Sequence, residues 1–336
     1  MFCADSSRAG RRQRESPNSA QGEPALRALT FSRFGGPEVL EVLELPEREP
    51  GPGQVRIRVA AATVNPTDIG FRSGRQSAQL AGLEPPYIPG MDLAGVVDAV
   101  GPGSDWQPGD RVMAIVIPRR PEGGAMAESV VVPAASVARV PEGTSLDAAA
   151  TLPMNGLTVR LALDLLALKP GETLAVTGAA GAVGGYAVEL GVADGLRVIA
   201  VAAPTDEPLL KKLGAEAVVA RGDSAAQGIR KLVPAGVDGL VDAALIGAPI
   251  LPAIRDGGGL AAVRAFEGET ERGITIHQVR VAEYAQNQAA LDRLGQLVAQ
   301  GKLTLRVAET FPVERAADAH KRLEAGGVRG RLVIVF

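Results

Sequence analysis

The strongest constraint on the fold of this chain is a β-strand pattern that runs through a glycine-rich turn into an apolar helix. The strand pattern covers residues 173–177, the turn reads Gly178-Ala-Ala-Gly-Ala-Val-Gly-Gly185, and a second strand follows at 197–202. A strand, a tight turn, a helix and a parallel second strand form a β-α-β unit, whose glycines allow backbone to lie close to a bound diphosphate. We therefore predict a dinucleotide-binding sheet in the middle of the chain.

The glycines of this turn have distinct predicted roles. Gly178 permits the tight turn out of the strand, Gly181 lets the backbone approach a pyrophosphate, and Gly184 allows the helix to pack closely on the strand. The free N–H groups at the start of the helix would then face the phosphates, where the helix dipole favours negative charge. The residues expected to contact the cofactor here are Gly178, Ala180, Gly181, Ala182, Val183 and Gly184.

The end of the second strand bears on cofactor choice. It reads Ala202-Ala203-Pro204-Thr205, with no carboxylate at the tip to accept the ribose hydroxyls of NAD. We therefore expect NADPH rather than NADH, with Ala203 beside the adenine ribose. Arg221, after the next strand pattern, is either a partner for the 2′-phosphate or a solvated loop charge. Asp206 and Glu207 follow closely and argue in the other direction.

The rest of the chain divides into two patterns. After residue 153, helix patterns at 156–168, 183–190 and 208–213 alternate with strands, which predicts a parallel sheet covered on both faces. Before it, β-like runs at 28–31, 54–61, 94–100, 111–117 and 129–132 are separated by glycine and proline turns, which predicts a β-barrel-like domain with little room for helices. The C-terminal strand at 331–336 can return to that first domain.

Composition narrows the function classes. With 35 Lys and Arg residues against 38 Asp and Glu residues, the net charge of −3 offers no global field for nucleic acid or an anionic membrane. No segment reaches the roughly 18 apolar residues of a membrane-spanning helix. The single cysteine, Cys3, excludes a disulfide framework and indicates a cytoplasmic location. Residues 1–24 are polar and arginine-rich, and we predict that they form a disordered tail.

Several further motifs carry a family resemblance. They are Phe34-Gly-Gly-Pro-Glu-Val-Leu40, Val64-Asn-Pro-Thr-Asp68, Pro86-Tyr-Ile-Pro-Gly-Met-Asp92, Gly109-Asp-Arg-Val112, Leu152-Pro-Met-Asn-Gly-Leu-Thr158 and the glycine turn. With them the chain, from residue 28 to 336, resembles the medium-chain dehydrogenase/reductase superfamily, in the zinc-independent quinone oxidoreductase branch related to zeta-crystallin. The resemblance implies an α/β fold class: a chaperonin-10-like β-barrel catalytic domain at 25–150 and 302–336, and a Rossmann doubly wound parallel sheet at 151–301. It also implies an active site in the cleft between them and a homodimer.

The resemblance also implies the site residues. Where zinc-dependent relatives hold the metal, this chain has Asn65, Met91 and Met154, which are poor zinc ligands, so we expect no metal. His277 and His320 lie elsewhere and are expected to be structural or surface residues. The candidate catalytic residues are Asn65 and Thr158, which would also contact the cofactor.

For both candidates a structural alternative stays open. The Asn65 amide would donate to substrate oxygen or to the nicotinamide ribose, or it caps the turn before Pro66. Thr158 would lie near that ribose, or it is a hydroxyl at a helix start. Val263 and Arg329 complete the expected cofactor contacts. Asp68 and Asp92 could be acid/base groups, but the resemblance implies that they are buried, hydrogen-bonded organisers of the site. A tyrosine that relatives often carry after this motif is absent, since the chain has Gly70 and Phe71 there.

These features predict an NADPH-dependent, zinc-independent reductase that transfers hydride to a small-molecule quinone or α,β-unsaturated carbonyl. Conjugated acceptors form a delocalised anion when they accept hydride, so they need less activation than a simple ketone. The alternatives are a trans-acting enoyl reductase of a biosynthetic pathway, or a non-catalytic, crystallin-like protein that binds NADPH.

Overall fold

The computed structural model describes residues 25–336, and the predicted tail at 1–24, with Cys3, lies outside the described residues. The strands are β1 (Ala25–Thr30), β2 (Glu41–Pro46), β3 (Gln54–Val64), β4 (Asp92–Val100), β5 (Arg111–Ile115), β6 (Ser129–Pro133), β7 (Val137–Arg139), β8 (Thr173–Thr177), β9 (Arg197–Ala202), β10 (Ala217–Ala220), β11 (Val237–Asp242), β12 (Ile254–Ala262), β13 (Thr275–Gln278), β14 (Val307–Pro312) and β15 (Arg331–Val335). The helices are α1 (Pro66–Arg72), α2 (Leu146–Ala149), α3 (Pro153–Leu166), α4 (Ala182–Ala193), α5 (Glu207–Lys212), α6 (Ala225–Leu232), α7 (Gln288–Ala299) and α8 (Ala316–Glu324).

The first sheet is built around the long strand β3. It has seven strands in the order β14-β15-β3-β4-β5-β7, with β6 also paired to β3, and β1 and β2 form a separate antiparallel pair. Along β3, Val55, Ile57 and Val59 are buried while their neighbours are not, which is the two-residue period of a sheet with one buried face. The C-terminal strand β15 pairs with β3, so the end of the chain does return to the first domain as expected.

The second sheet has six strands, all parallel, in the order β10-β9-β8-β11-β12-β13. Successive residues of β8 face opposite sides: Leu174 and Val176 pack in the cluster that holds α3 and α4, whereas Ala175 packs in the cluster that holds α6. The sheet is therefore covered by helices on both faces, and the prediction of a doubly wound parallel sheet is confirmed.

Some predicted bounds and absences were wrong. Helix α3 begins at Pro153, three residues before the predicted start, because proline is well suited to the first turn of a helix. The first part of the chain contains α1, although we expected little room for helices there. Five strands were not predicted: β2, β7, β12, β13 and β14. Within residues 25–336, no helix is long and apolar enough to span a membrane.

Candidate functional site

A cavity of about 400 Å³ lies where residues of the two sheets meet. It is lined by the glycine turn, the start of α1, the helix α3, the segment after β12 and the start of β15. Of the predicted site residues, the following line it: Asn65, Thr158, Gly178, Gly181, Ala182, Val183, Gly184 and Val263. A larger cavity of about 570 Å³ lies near Pro46 and Arg120, and none of the predicted site residues lines it.

The glycine turn presents unpartnered backbone to this cavity. Gly178 has a φ of +59°, and a Cβ on Gly184 would lie 2.2 Å from the Gly178 carbonyl oxygen, so both positions need glycine. Gly181 is the N-cap of α4 and carries no side chain that could cap the helix. The first-turn amides of Ala182, Val183 and Gly184 therefore remain free toward the cavity, which fits the diphosphate of a dinucleotide.

Arg306, which sequence reasoning missed, supports the glycine turn by hydrogen bonds to its backbone. Its guanidinium donates to the carbonyl oxygens of Ala180 at 3.1 Å and Gly181 at 2.7 Å. A Cβ on Gly185 would lie 1.9 Å from the Arg306 Nη2 atom, so the fourth glycine makes room for this arginine. Ala180 is buried and does not line the cavity, and its carbonyl serves this support. No local signal in the sequence connects residue 306 with the turn.

Below the cavity, Asp92 is the centre of a buried hydrogen-bond network. Its carboxylate accepts from the Thr63 hydroxyl at 2.7 Å, the Asn65 amide at 3.1 Å, the Met154 backbone N–H at 2.5 Å and the Arg331 guanidinium at 2.8 Å. These partners come from β3, the N-cap of α1, α3 and β15, so one carboxylate joins both parts of the chain. Arg331 was not predicted as a site residue.

Asn65 is committed to this network. Its Nδ2 atom donates to the Thr63 carbonyl at 3.2 Å and to Asp92, and its Oδ1 atom accepts from Arg331 at 2.7 Å. Both amide hydrogens are engaged, so the predicted free donor to substrate is not available in this arrangement. Asn65 is also the N-cap of α1, and Asp68 accepts a hydrogen bond from its backbone N–H at 2.8 Å.

Asp68 is fully buried, as expected of an organiser of the site. Burial and the nearby charge of Asp92 raise the pKa of Asp68 to about 7, against the opposite effect of hydrogen bonds from the backbone N–H groups of Asn65 and Gly90.

Thr158 lies in the middle of α3, so the alternative of a helix-start hydroxyl was wrong. Its hydroxyl donates to the Met154 carbonyl at 2.7 Å, one turn earlier. The oxygen lone pairs remain available as acceptors at the cavity wall.

The three residues at the positions of zinc ligands do meet at this cavity. Asn65, Met91 and Met154 all line it, and the Met91 sulfur accepts a hydrogen bond from the Thr67 hydroxyl at 3.2 Å. Two thioethers and a carboxamide that is already bonded do not fit a zinc ion, which takes thiolate, imidazole or carboxylate ligands. Within residues 25–336, no group of three or more Cys, His, Asp or Glu side chains is arranged to hold a metal.

Three predicted cofactor residues lie off the cavity, beyond the tip of β9: Ala203, Arg221 and Arg329. Arg329, on the segment before β15, forms two hydrogen bonds of 2.7 and 2.9 Å with the Asp206 carboxylate. The side chain of Arg221 is exposed and forms no salt bridge or hydrogen bond within the described chain. The acid near the tip of β9 is thus paired with an arginine from the other part of the chain.

The loop after β11 closes one side of the cavity. The Asp242 carboxylate accepts from the Thr177 hydroxyl at 2.6 Å and from the backbone N–H groups of Ile246 and Gly247. This loop holds Leu245 at a φ of +58°, an uncommon conformation for a branched side chain. The side of the cavity that this loop closes includes Leu245.

Family models match most of both parts of the chain. One, described as "Alcohol dehydrogenase GroES-like domain", matches residues 51–142, and another, described as "Zinc-binding dehydrogenase", matches residues 213–334.

Among curated proteins, the 2-haloacrylate reductase of a Burkholderia species is 30% identical over 92% of this chain and 98% of its own. The quinone oxidoreductase of Sus scrofa is 28% identical over 94% of this chain and 100% of its own. The synaptic vesicle membrane protein VAT-1 homolog of Rattus norvegicus is 35% identical over 65% of this chain, and the match spans 54% of that relative. A solved structure of an NAD-dependent alcohol dehydrogenase shares 32% identity, with a TM-score of 0.82 over 92% of this chain and 99% of its own.

Proposed function

Since the chain belongs to the medium-chain dehydrogenase/reductase superfamily, in its zeta-crystallin/quinone oxidoreductase branch, and is an oxidoreductase, we propose that it is an NADPH-dependent, zinc-independent reductase. It transfers hydride to a quinone or an α,β-unsaturated carbonyl compound. The observation that carries this proposal is the uncapped turn from Gly178 to Gly184, which opens on a cavity shared by both parts of the chain.

The residues that line the cavity have distinct roles in this proposal. The bound nicotinamide supplies the hydride. The amides of Ala182, Val183 and Gly184 bind the diphosphate, and the Thr158 oxygen accepts a hydrogen bond from a ribose hydroxyl. Asn65 acts as a positioning residue, because it links Asp92 and Arg331 below the acceptor. Val263 packs against the nicotinamide face.

The chemistry of the lining supports a conjugated acceptor. Among residues 25–336, no Asp, Glu, His, Lys, Tyr or Cys lines the cavity. The proton that follows the hydride therefore comes from solvent, which suits an enolate or a hydroquinone anion, since the charge of either is delocalised. The names of the quinone oxidoreductase and the 2-haloacrylate reductase support the same class of acceptor.

The space beside Gly70 is filled by another side chain. A Cβ on Gly70 would lie 3.1 Å from the Gln76 Nε2 atom. The Oε1 atom of the same side chain accepts a hydrogen bond from the Arg119 guanidinium at 2.9 Å. A phenol in the expected place would have to displace this pair, which supports a reaction that needs no tyrosine.

The test is the oxidation of NADPH and of NADH with a panel of ortho-quinones, para-quinones, enals, enones and enoyl thioesters. We expect NADPH oxidation with quinones or enones, and reduction of the thioesters alone would favour the enoyl reductase alternative.

Gly181→Asp should abolish NADPH binding, whereas its uncharged match Gly181→Asn should weaken binding less, because only the aspartate repels the diphosphate. Undiminished affinity in Gly181→Asp would overturn the assignment of the turn.

We further propose a cytoplasmic homodimer. Strand β13 lies at an edge of the parallel sheet and leaves one side of its backbone unpaired, as an interface along that edge requires. Light scattering of the purified protein would give the mass of a dimer, and a monomer at micromolar concentration would contradict this.

A further inference from the structure

Beside the acceptor end of the cavity stands an arginine without an acidic partner. Arg264 follows Val263 and lines both the main cavity and a neighbouring pocket of about 350 Å³. Other arginines of the same part of the chain, such as Arg255 and Arg272, form salt bridges, whereas Arg264 forms none within the described residues. Glu267 lines the neighbouring pocket as well, yet it does not pair with Arg264.

The charge of a second cation, Arg75, acts on Arg264. Burial lowers the pKa of the Arg264 guanidinium, and the charge of Arg75, in the segment after α1, lowers it further. Arg75 is exposed and forms no salt bridge within residues 25–336. Its neighbour Gln76 holds Arg119, whose pKa is lowered by burial. The main cavity thus has an unpaired cation on its wall, and within residues 25–336 no Asp or Glu side chain lines it.

We propose that Arg264, aided by the charge of Arg75, binds an anionic group, a carboxylate or a similar monoanion, carried by the acceptor substrate. Arg264 lines the cavity and has no acidic partner within residues 25–336, so an anion there would accept charge-assisted hydrogen bonds from its guanidinium, and the charge of Arg75 would add to the attraction. The inference rests on the proposed function only in placing the acceptor in this cavity.

Binding measurements test the proposed anion site without the need for turnover. Calorimetric titrations, with saturating NADP⁺ so that the phosphate sites of the cofactor are filled, would compare naphthalene-2-sulfonate with its neutral match, naphthalene-2-sulfonamide. We expect the sulfonate to bind about tenfold more tightly. Arg264→Gln and Arg75→Gln should each reduce that preference, and the double variant should remove it. Arg293→Gln, which removes an exposed and unpaired arginine on α7, is the control of equal charge and should keep it.

Equal affinity for the two naphthalenes, or a preference that survives in the double variant, would overturn the proposal. Inorganic phosphate as a competitor distinguishes a general anion site from a site for a substrate anion. If phosphate at millimolar concentration displaces the sulfonate, the site is a general anion site and the proposal is also overturned.

Turnover of 1,4-naphthoquinone and its 2-sulfonate then tests the proposed function separately. If the arginine-dependent preference is present and neither quinone is reduced, the anion site stands and the quinone reductase assignment falls. If both quinones are reduced without an arginine-dependent preference, only the anion site falls.

Discussion

The Nη2 atom of Arg331 lies 2.8 Å from the carboxylate of Asp92, and the two residues are 4% and 0% exposed. They are separated by 239 residues in the chain, so this ion pair brings the last strand to the cavity. Asp92 reaches α3 at the same time through the Met154 backbone. The pair thus connects the barrel-like sheet, the linking helix and the C-terminus at the place where the acceptor is proposed to bind.

Arg331→Met should be strongly destabilising, because it leaves the Asp92 charge buried with no cationic partner. Removal of one member of a buried pair costs about 3–5 kcal/mol of the free energy of unfolding. Urea denaturation would measure this loss. The control is Arg197→Met, which breaks the exposed pair with Glu216 and should change the unfolding midpoint far less. Equal effects of the two substitutions would contradict the structural role of Arg331.

Two adjacent glycines of the turn should respond differently to alanine. At Gly184 the new Cβ meets the Gly178 carbonyl oxygen at 2.2 Å, which is backbone that cannot move without opening the turn. At Gly185 it meets the end of the Arg306 side chain, which is flexible and can move away. We expect Gly184→Ala to cost about 1–3 kcal/mol and to abolish NADPH binding.

Gly185→Ala should keep the fold and weaken NADPH binding by several-fold, because Arg306 loses its hydrogen bonds to the turn. Thermal unfolding and fluorescence titration of NADPH would rank the two variants. The reverse order would show that the turn is not packed as described.

The pair of Asp206 and Arg329 should control the choice between NADPH and NADH. Asp206 lies just past the tip of β9, where its charge would oppose the 2′-phosphate of a bound NADPH, and Arg329 pairs with it. Asp206→Asn should free Arg329 for the phosphate and raise the ratio of NADPH to NADH affinity by about tenfold. Arg329→Gln should lower that ratio. Dissociation constants of both cofactors for both variants would test this, and an unchanged ratio in each would place the adenosine end elsewhere.

The β-α-β unit could be predicted from the sequence because its pattern is local. Strands 173–177 and 197–202 have the predicted bounds, and the helix predicted at 183–190 extends over Ala182–Ala193. Strand β12 escaped prediction because Gly257, Gly258 and Gly259 interrupt any apolar alternation. Strand β14 escaped because most of its residues are exposed, so that no apolar alternation marks it.

The candidate site was predicted in part for the same reason. The glycines and Thr158 lie in local motifs, and they line one cavity together with Val263. Arg306 and Arg331 reach the site only through the return of the chain to the first sheet, and nothing near them in the sequence marks that contact. The donors of Asn65 are occupied by such distant partners, so their availability could not be judged from its motif.

His320 should make the protein less stable in acid. Its ring is fully buried, and neither ring nitrogen has a hydrogen-bond partner within the described residues. Burial lowers the pKa of His320 to about 3, and the charge of Arg72 contributes in the same direction. Between pH 6.5 and about 3, the histidine of the unfolded chain, with its ordinary pKa of 6.5, binds a proton, whereas His320 of the folded protein does not. The stabilising contribution of the neutral ring is therefore fully present above pH 6.5 and is lost as the pH falls toward 3.

In urea denaturation at pH 7 and pH 5, this residue should account for a loss of about 2 kcal/mol in the wild-type protein. His320→Leu replaces the ring by an apolar side chain that cannot be protonated, so the loss between the two pH values should shrink by that amount. His277→Leu is the matched control, because His277 is only half-buried and its removal should change the pH dependence less. If His320→Leu loses as much stability between pH 7 and pH 5 as the wild type, the buried ring is not the group that titrates.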